Sequence, residues 1–151
     1  MGCRHLPLSF LAITALIAAP LSAAAAPQTI EPVDSLLATA DAAAGQKTGK
    51  ACLTCHSVDK GGSTRIGPNL WNVINRPVGQ VAGFHYSSAF KKINVKAWSY
   101  HELNEWLYSP SAEAPGTTMS FAGLKKTQDR ANVIAWLRTL ADSPAALPKA
   151  K

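Results

Sequence analysis

Two cysteines three residues apart, followed at once by a histidine, form the most restrictive feature of the chain: Cys52-Leu-Thr-Cys55-His56. The rest of the sequence narrows what this trio can be. Only three cysteines occur in 151 residues, and the third, Cys3, lies in an N-terminal stretch that reads as a removable leader. A four-cysteine zinc or iron–sulfur site needs a second pair. Two cysteines cannot build a multiply bridged secreted scaffold, and a redox C-x-x-C of the thioredoxin kind belongs with a βαβ pattern that is absent here. A plain disulfide has no use for His56 and leaves a Gly- and Pro-rich chain poorly packed. The C-x-x-C-H spacing instead points to covalent attachment of a c-type haem. Two thiols at the end of a helix can each add to one vinyl group. The adjacent histidine is then held under the iron as an axial ligand.

The leader reading rests on three features. Met1 to His5 is a short basic start, Leu6 to Ala19 is apolar, and Leu21 to Ala26 is made of small residues. That is the pattern of a signal peptide over residues 1–26. An uncleaved anchor is the alternative, but a span needs about 20 apolar residues and Pro20 interrupts the run. Either form puts the domain in an oxidising compartment, the periplasm. Cleavage leaves about 125 residues, one modest domain, with no room for a Rossmann domain plus a substrate domain. It also leaves one methionine, Met119, and three histidines, His56, His85 and His101.

Residues 27–40 hold Pro27, Pro32 and few large apolar side chains, and read as an N-terminal arm or linker. Asp41 is placed to cap a helix running to Ala51, with Gly45 and Gly49 four apart on one face. Residues 57–70 are loop, with turn signals at Lys60-Gly-Gly-Ser63 and Gly67-Pro-Asn69. Leu70–Ile74 and Ser87–Lys92 suit short helices. Ser99 and Glu102 form a capping box for a helix carrying Leu103, Trp106 and Leu107 on one face and ending before Pro110. A last helix starts near Thr127 and carries Val133, Trp136, Leu137 and Leu140. Residues 142–151 read as a flexible tail. The pattern contains no strand and no repeat. Helices this few, joined by long loops, need something other than helix packing at their centre.

The iron needs a sixth ligand or an open site, and Met119, His85 and His101 are the candidates. Met119 follows Ala114-Pro-Gly-Thr117, a sequence suited to a type II turn. A rigid polar turn is a poor place for core filling, whereas His85 and His101 read as surface residues. Methionine–histidine ligation saturates the iron and raises its reduction potential, which suits electron transfer.

Further stretches carry a resemblance: Cys52 to Gly62, Gly67-Pro-Asn-Leu70, Asn75-Arg-Pro-Val-Gly79, Gly83-Phe-His-Tyr-Ser87, Trp98, Ser109-Pro110, Pro115 to Lys126 and Asp129 to Leu137. In this order and spacing they make residues 41–141 resemble the class I cytochrome c family, in its cytochrome c2-like and mitochondrial-like bacterial branch. The resemblance implies an all-α fold of about five helices with long loops wrapped around one covalent haem c. It implies thioethers at Cys52 and Cys55, iron ligation by His56 and Met119, and a Pro68 carbonyl accepting the other ring N–H of His56. Arg76, Tyr86, Trp98 and Thr117 match positions that hold the haem propionates, and Phe121 an aromatic that covers the haem edge. Gly45 with Val133 and Trp136 matches the crossing of the first and last helices.

Some positions depart from the family pattern. Trp106 stands where relatives usually have a tyrosine, and Phe90 where many have an asparagine that helps order a water. The first helix lacks the usual aromatic near Thr48, and one extra residue lies between Tyr86 and Trp98.

The formal net charge is +6, one less without Arg4. With an export signal and a haem motif, that charge points away from nucleic acid. It points toward electrostatic steering to acidic redox proteins. The expected partners are a quinol–cytochrome c reductase and a terminal oxidase, or one periplasmic dehydrogenase. Lys50, Arg65, Lys125 and Lys126 match positions around the exposed haem edge, while Ser111, Ala112 and Thr118 stand where many relatives carry lysine. The expected protein is a soluble monomeric carrier and not an enzyme. A peroxidase or gas sensor with a displaceable Met119 is the competing reading.

Overall fold

The protein is described by a computed structural model that covers residues 1–2 and 29–148. The signal-peptide reading therefore falls almost wholly outside the described residues. Among the described residues five short α-helices succeed one another: α1 (Asp34–Leu37), α2 (Ala42–Thr48), α3 (Tyr100–Tyr108), α4 (Pro110–Glu113) and α5 (Thr127–Thr139). Two 3₁₀ segments join them, Gly49–Thr54 directly after α2 and Phe90–Lys92 in the long central loop. Among the described residues there is no strand, only an isolated bridge between Pro77 and Ala97. The fold is all-α, as the pattern of the sequence implies.

Helix α2 begins where Asp41 can accept from the N–H groups of Ala43 and Ala44, at 2.8 and 3.0 Å. This satisfies two of the helix's unpaired donors. It packs across α5 through its glycines. A Cβ at Gly45 would run into the Asn132 carbonyl, and one at Gly49 into the Trp136 ring. The missing side chains let the two backbones meet. Trp136 also finds a surface on Gly49 in place of the aromatic that the first helix lacks.

Helix α3 starts on the Ser99 hydroxyl, which accepts from the Glu102 N–H at 3.1 Å. It buries the expected face, Leu103, Trp106 and Leu107, together with Asn104. Pro110 does not end helical structure. It opens α4 at its first position, where a fixed φ and a missing N–H cost nothing.

Three local readings change. Leu70–Ile74 forms turns, with Asn72 and Asn75 at φ of 54° and 61°. The Asn69 side chain explains this. Its carbonyl accepts from the Trp71 N–H at 2.6 Å and its amide donates to Asp59 and Gly62 carbonyls, so the chain is held in a loop instead of a helix. The N-terminal arm is not loose. Val33 and Leu37, one helical turn apart, are 1% and 3% exposed and join the core against α5. The tail is tied down as far as Ala145, whose carbonyl accepts from Arg138 Nε at 2.6 Å and the Tyr100 hydroxyl at 3.2 Å.

Candidate cofactor site

The 3₁₀ turn after α2 places Cys52, Cys55 and His56 along one wall of a cavity. Both cysteines are free thiols and half-buried, so no disulfide closes the motif. Burial, with the neighbouring Cys55 thiol, pushes the Cys52 thiol up. The motif is braced from outside. Arg65 Nη1 donates to the Leu53 carbonyl at 2.8 Å, and Gly67 N–H donates to the Cys55 carbonyl at 2.9 Å. From the sequence Arg65 reads as a surface charge only. No local pattern announces a bond across twelve residues.

His56 Nδ1 lies 2.6 Å from the Pro68 carbonyl oxygen. A carbonyl only accepts, so Nδ1 carries the ring proton and Nε2 keeps a lone pair. Burial lowers the basicity of His56, the Pro68 bond opposes this, and the Arg76 cation lowers it further. The ring is thereby held neutral, the form that binds a metal. Gly67 presses on its face: a Cβ there would run into the ring.

Met119 enters the same cavity from the loop between α4 and α5. The loop begins in the expected turn. Thr117 N–H donates to the Ala114 carbonyl at 2.9 Å, and Gly116 takes φ of 88°. The Thr117 hydroxyl then accepts from the Met119 N–H at 3.3 Å. His85 and His101 are exposed and do not line the cavity.

Aromatic side chains close the cavity. Tyr86 stacks on Phe90 at 4.8 Å, Phe90 meets Trp106 edge-on at 5.4 Å, and Trp98 lies 5.5 Å from Trp106. Two of the departures from the family pattern, Trp106 and Phe90, thus pack on each other within this wall. Arg76 is the polar exception. Its Nη1 donates to the Trp71 carbonyl at 3.0 Å, but its buried Nε has no partner among the described residues. A buried donor without a partner costs on the order of 1–3 kcal/mol, so this nitrogen calls for an acceptor inside the cavity.

All ten residues singled out from the sequence, from Cys52 to Phe121, line this one cavity. The donor set fits a haem: two thiols for vinyl groups, a neutral imidazole, a thioether, and an unsatisfied guanidinium N–H for a propionate. Zinc fits poorly, since among the described residues no three His, Cys, Asp or Glu side chains gather into a metal site.

Known proteins agree. The family model for Cytochrome c matches residues 42–141. A cytochrome c homolog of Rickettsia felis is 45% identical over 107 residues, 71% of this chain and 61% of that protein. The chain thus spans about three fifths of that relative's length. The cytochrome c-type cyt cy of Rhodobacter capsulatus is 49% identical over 109 residues, 72% of this chain and 53% of its own. Among solved structures, cytochrome cH from Methylobacterium extorquens superposes with a TM-score of 0.59 at 35% identity, covering 66% of this chain and 98% of that one. Covalent haem c is the cofactor of such a domain, and Cys52 and Cys55 stand at its attachment position. On its all-α architecture, its C-x-x-C-H cavity and these matches, the chain belongs to the class I cytochrome c family.

Proposed function

We propose that the protein carries single electrons between periplasmic or membrane redox partners, with its haem iron held between His56 and Met119. The observation that carries this reading is the placing of both side chains, one on a proton-donating tether to Pro68, on the walls of one aromatic cavity. When bound, the haem supplies an iron that gains and loses one electron without making or breaking a substrate bond. The chain does the rest. Cys52 and Cys55 fix the group covalently. Pro68 and Gly67 hold the His56 ring in one tautomer and orientation. Arg76, with Tyr86, Trp98 and Thr117, is assigned to the propionates. Phe121 covers the edge beside Met119. Ligation by both His56 and Met119 would leave no coordination place for a substrate, which suits electron transfer.

Lys50, Arg65, Lys125 and Lys126 are exposed and suit acidic partners, such as a quinol–cytochrome c reductase and a terminal oxidase or one dehydrogenase. Their encounters are weak and salt-sensitive. Among the described residues no helix is long and apolar enough to cross a membrane.

The test is an absorption spectrum with a redox titration on the purified haem protein. The expected result is a reversible one-electron wave and the weak red absorption band of ferric iron bonded to a thioether. Carbon monoxide binding to the untreated ferrous protein would overturn the reading and favour an enzyme or sensor.

A further inference from the structure

Arg130 is the largest side chain buried to under 2% in the described structure, and it carries a positive charge. Among the described residues no carboxylate hydrogen-bonds to it, although Glu105 and Glu31 lie near enough to act on its charge. Its donors are instead spent on five neutral acceptors. Nε donates to Asn104 Oδ1 at 2.7 Å. Nη1 donates to the carbonyls of Leu124 and Lys125 at 3.0 and 2.9 Å. Nη2 donates to the Glu31 carbonyl at 3.2 Å and the Thr127 hydroxyl at 3.4 Å. A guanidinium has five N–H groups in a fixed fork, so this site uses the full set, which no other side chain could supply.

The geometry ties three separate pieces together. Asn104, 0% exposed, belongs to α3 and its amide also donates to the Glu31 carbonyl at 3.1 Å. Glu31 belongs to the N-terminal arm. Leu124 and Lys125 close the loop that carries Met119. Two further contacts bring the same loop end onto α3. Leu124 N–H donates to the Leu107 carbonyl at 2.7 Å, and Lys125 Nζ donates to the Tyr108 carbonyl at 2.7 Å. The loop's near end is fixed by its own turn at Ala114–Thr117. Its far end is fixed by these two bonds together with Arg130, whose Nη1 holds two successive carbonyls there.

We propose that Arg130 is a positioning residue for Met119: by pinning the Leu124–Lys125 end of the loop to α3 and the arm, it sets how readily the methionine leaves the iron. This rests on the reading of Met119 as an axial ligand. A loop clamped at both ends returns a detached thioether to the metal. A loop clamped at one end only swings away and leaves a coordination place for any small ligand in solution. Apparent affinity for such a ligand scales with the fraction of molecules in the open state.

The experiment is imidazole titration of the ferric haem protein, followed by loss of the red thioether–iron band, alongside the thermal midpoint. Arg130→Gln and Arg130→Lys are expected to bind imidazole about tenfold more tightly than the parent, because several hydrogen bonds from a charged donor are lost at the loop end. Tyr100→Phe, which removes a hydroxyl that donates to the Ala145 carbonyl of the tail and does not line the cavity, serves as the control, and it is expected to lower the thermal midpoint without changing imidazole affinity. Where Arg130→Gln yields no folded protein, Asn104→Ala removes the Nε acceptor and is expected to act in the same direction. Arg130 variants with affinities within twofold of the parent would overturn the proposal. So would an equal rise in Tyr100→Phe, since general loosening would then suffice. A parent protein without the red band would instead refute the methionine-ligand reading, and the proposal with it.

Discussion

His56 Nδ1 and the Pro68 carbonyl oxygen, twelve residues apart, stand 2.6 Å from each other, and Gly67, the residue before Pro68, lies against the face of the ring. The bond sets the tautomer, and the glycine sets the ring's plane. Gly67→Ala puts a methyl group into the imidazole, and overpacking of this kind costs about 1–3 kcal/mol. The burial that lowers the basicity of His56 also gives a pH signature. The folded state binds the proton less well than the unfolded chain. Its contribution is therefore present above the ordinary histidine pKa of about 6.5 and is lost as pH falls through the lower folded value. Denaturant midpoints measured against pH check both points. The parent should lose stability as pH falls from about 6.5 toward that lower value, whereas Gly67→Ala starts lower at neutral pH.

Arg76 Nε, buried and without a partner among the described residues, should meet a propionate in the haem-loaded form. Arg76→Leu then removes a cation beside the iron and leaves a buried carboxylate unpaired. The reduction potential should fall by several tens of millivolts, about 60 mV per tenfold change in equilibrium for one electron. The orphaned propionate's pKa should rise toward the neutral range. Deprotonation adds negative charge, which favours ferric iron, so the potential of the variant should drop as pH rises through that range. Potentiometry between acid and neutral pH separates the two proteins. A variant with the parent's potential and the same flat pH profile would remove Arg76 from the propionate site.

Gly45 meets backbone, not a side chain, across the α2–α5 crossing. A flexible side chain can rotate away, but the Asn132 carbonyl cannot do so without moving α5. Gly45→Ala should therefore destabilise by about 2–3 kcal/mol, although alanine favours helix more than glycine by about 1 kcal/mol. Chemical denaturation of the haem protein measures it. A stabilised Gly45→Ala would mean that the two helices do not cross this closely.

The residues that do chemistry were legible because their signals are local. The C-x-x-C-H run occupies five consecutive positions, and the Ala114-Pro-Gly-Thr117 turn before Met119 is written in two residues with opposite backbone demands. The helix caps at Asp41 and Ser99 are equally short-range. What escaped notice depends on distance along the chain. Val33 and Leu37 look like an arm because their partner, α5, lies some ninety residues on. Asn69 diverts Leu70–Ile74 from helix through bonds to a loop that precedes it. Arg65 reads as surface charge, since nothing near it marks it as a donor to a distant carbonyl, and nothing near Arg130 singles it out either. Arg130 in particular becomes a buried clamp only after the arm, α3 and the Met119 loop have come together.

Met119→Ala removes the thioether while leaving the Ala114–Thr117 turn and the Leu124–Arg130 anchor in place. The loop should still close, so the variant should keep its covalent haem and most of its stability. The iron, however, should lose one axial ligand. Thioether ligation favours the ferrous state, so its loss should lower the potential by on the order of 100 mV, about 2.3 kcal/mol for one electron. The ferrous variant should bind carbon monoxide, and the red band of the ferric form should vanish. Parent and variant with the same spectrum, potential and indifference to carbon monoxide would hand the sixth position to another side chain. The exposed His85 and His101 would then have to reach the cavity by moving the loops that hold them.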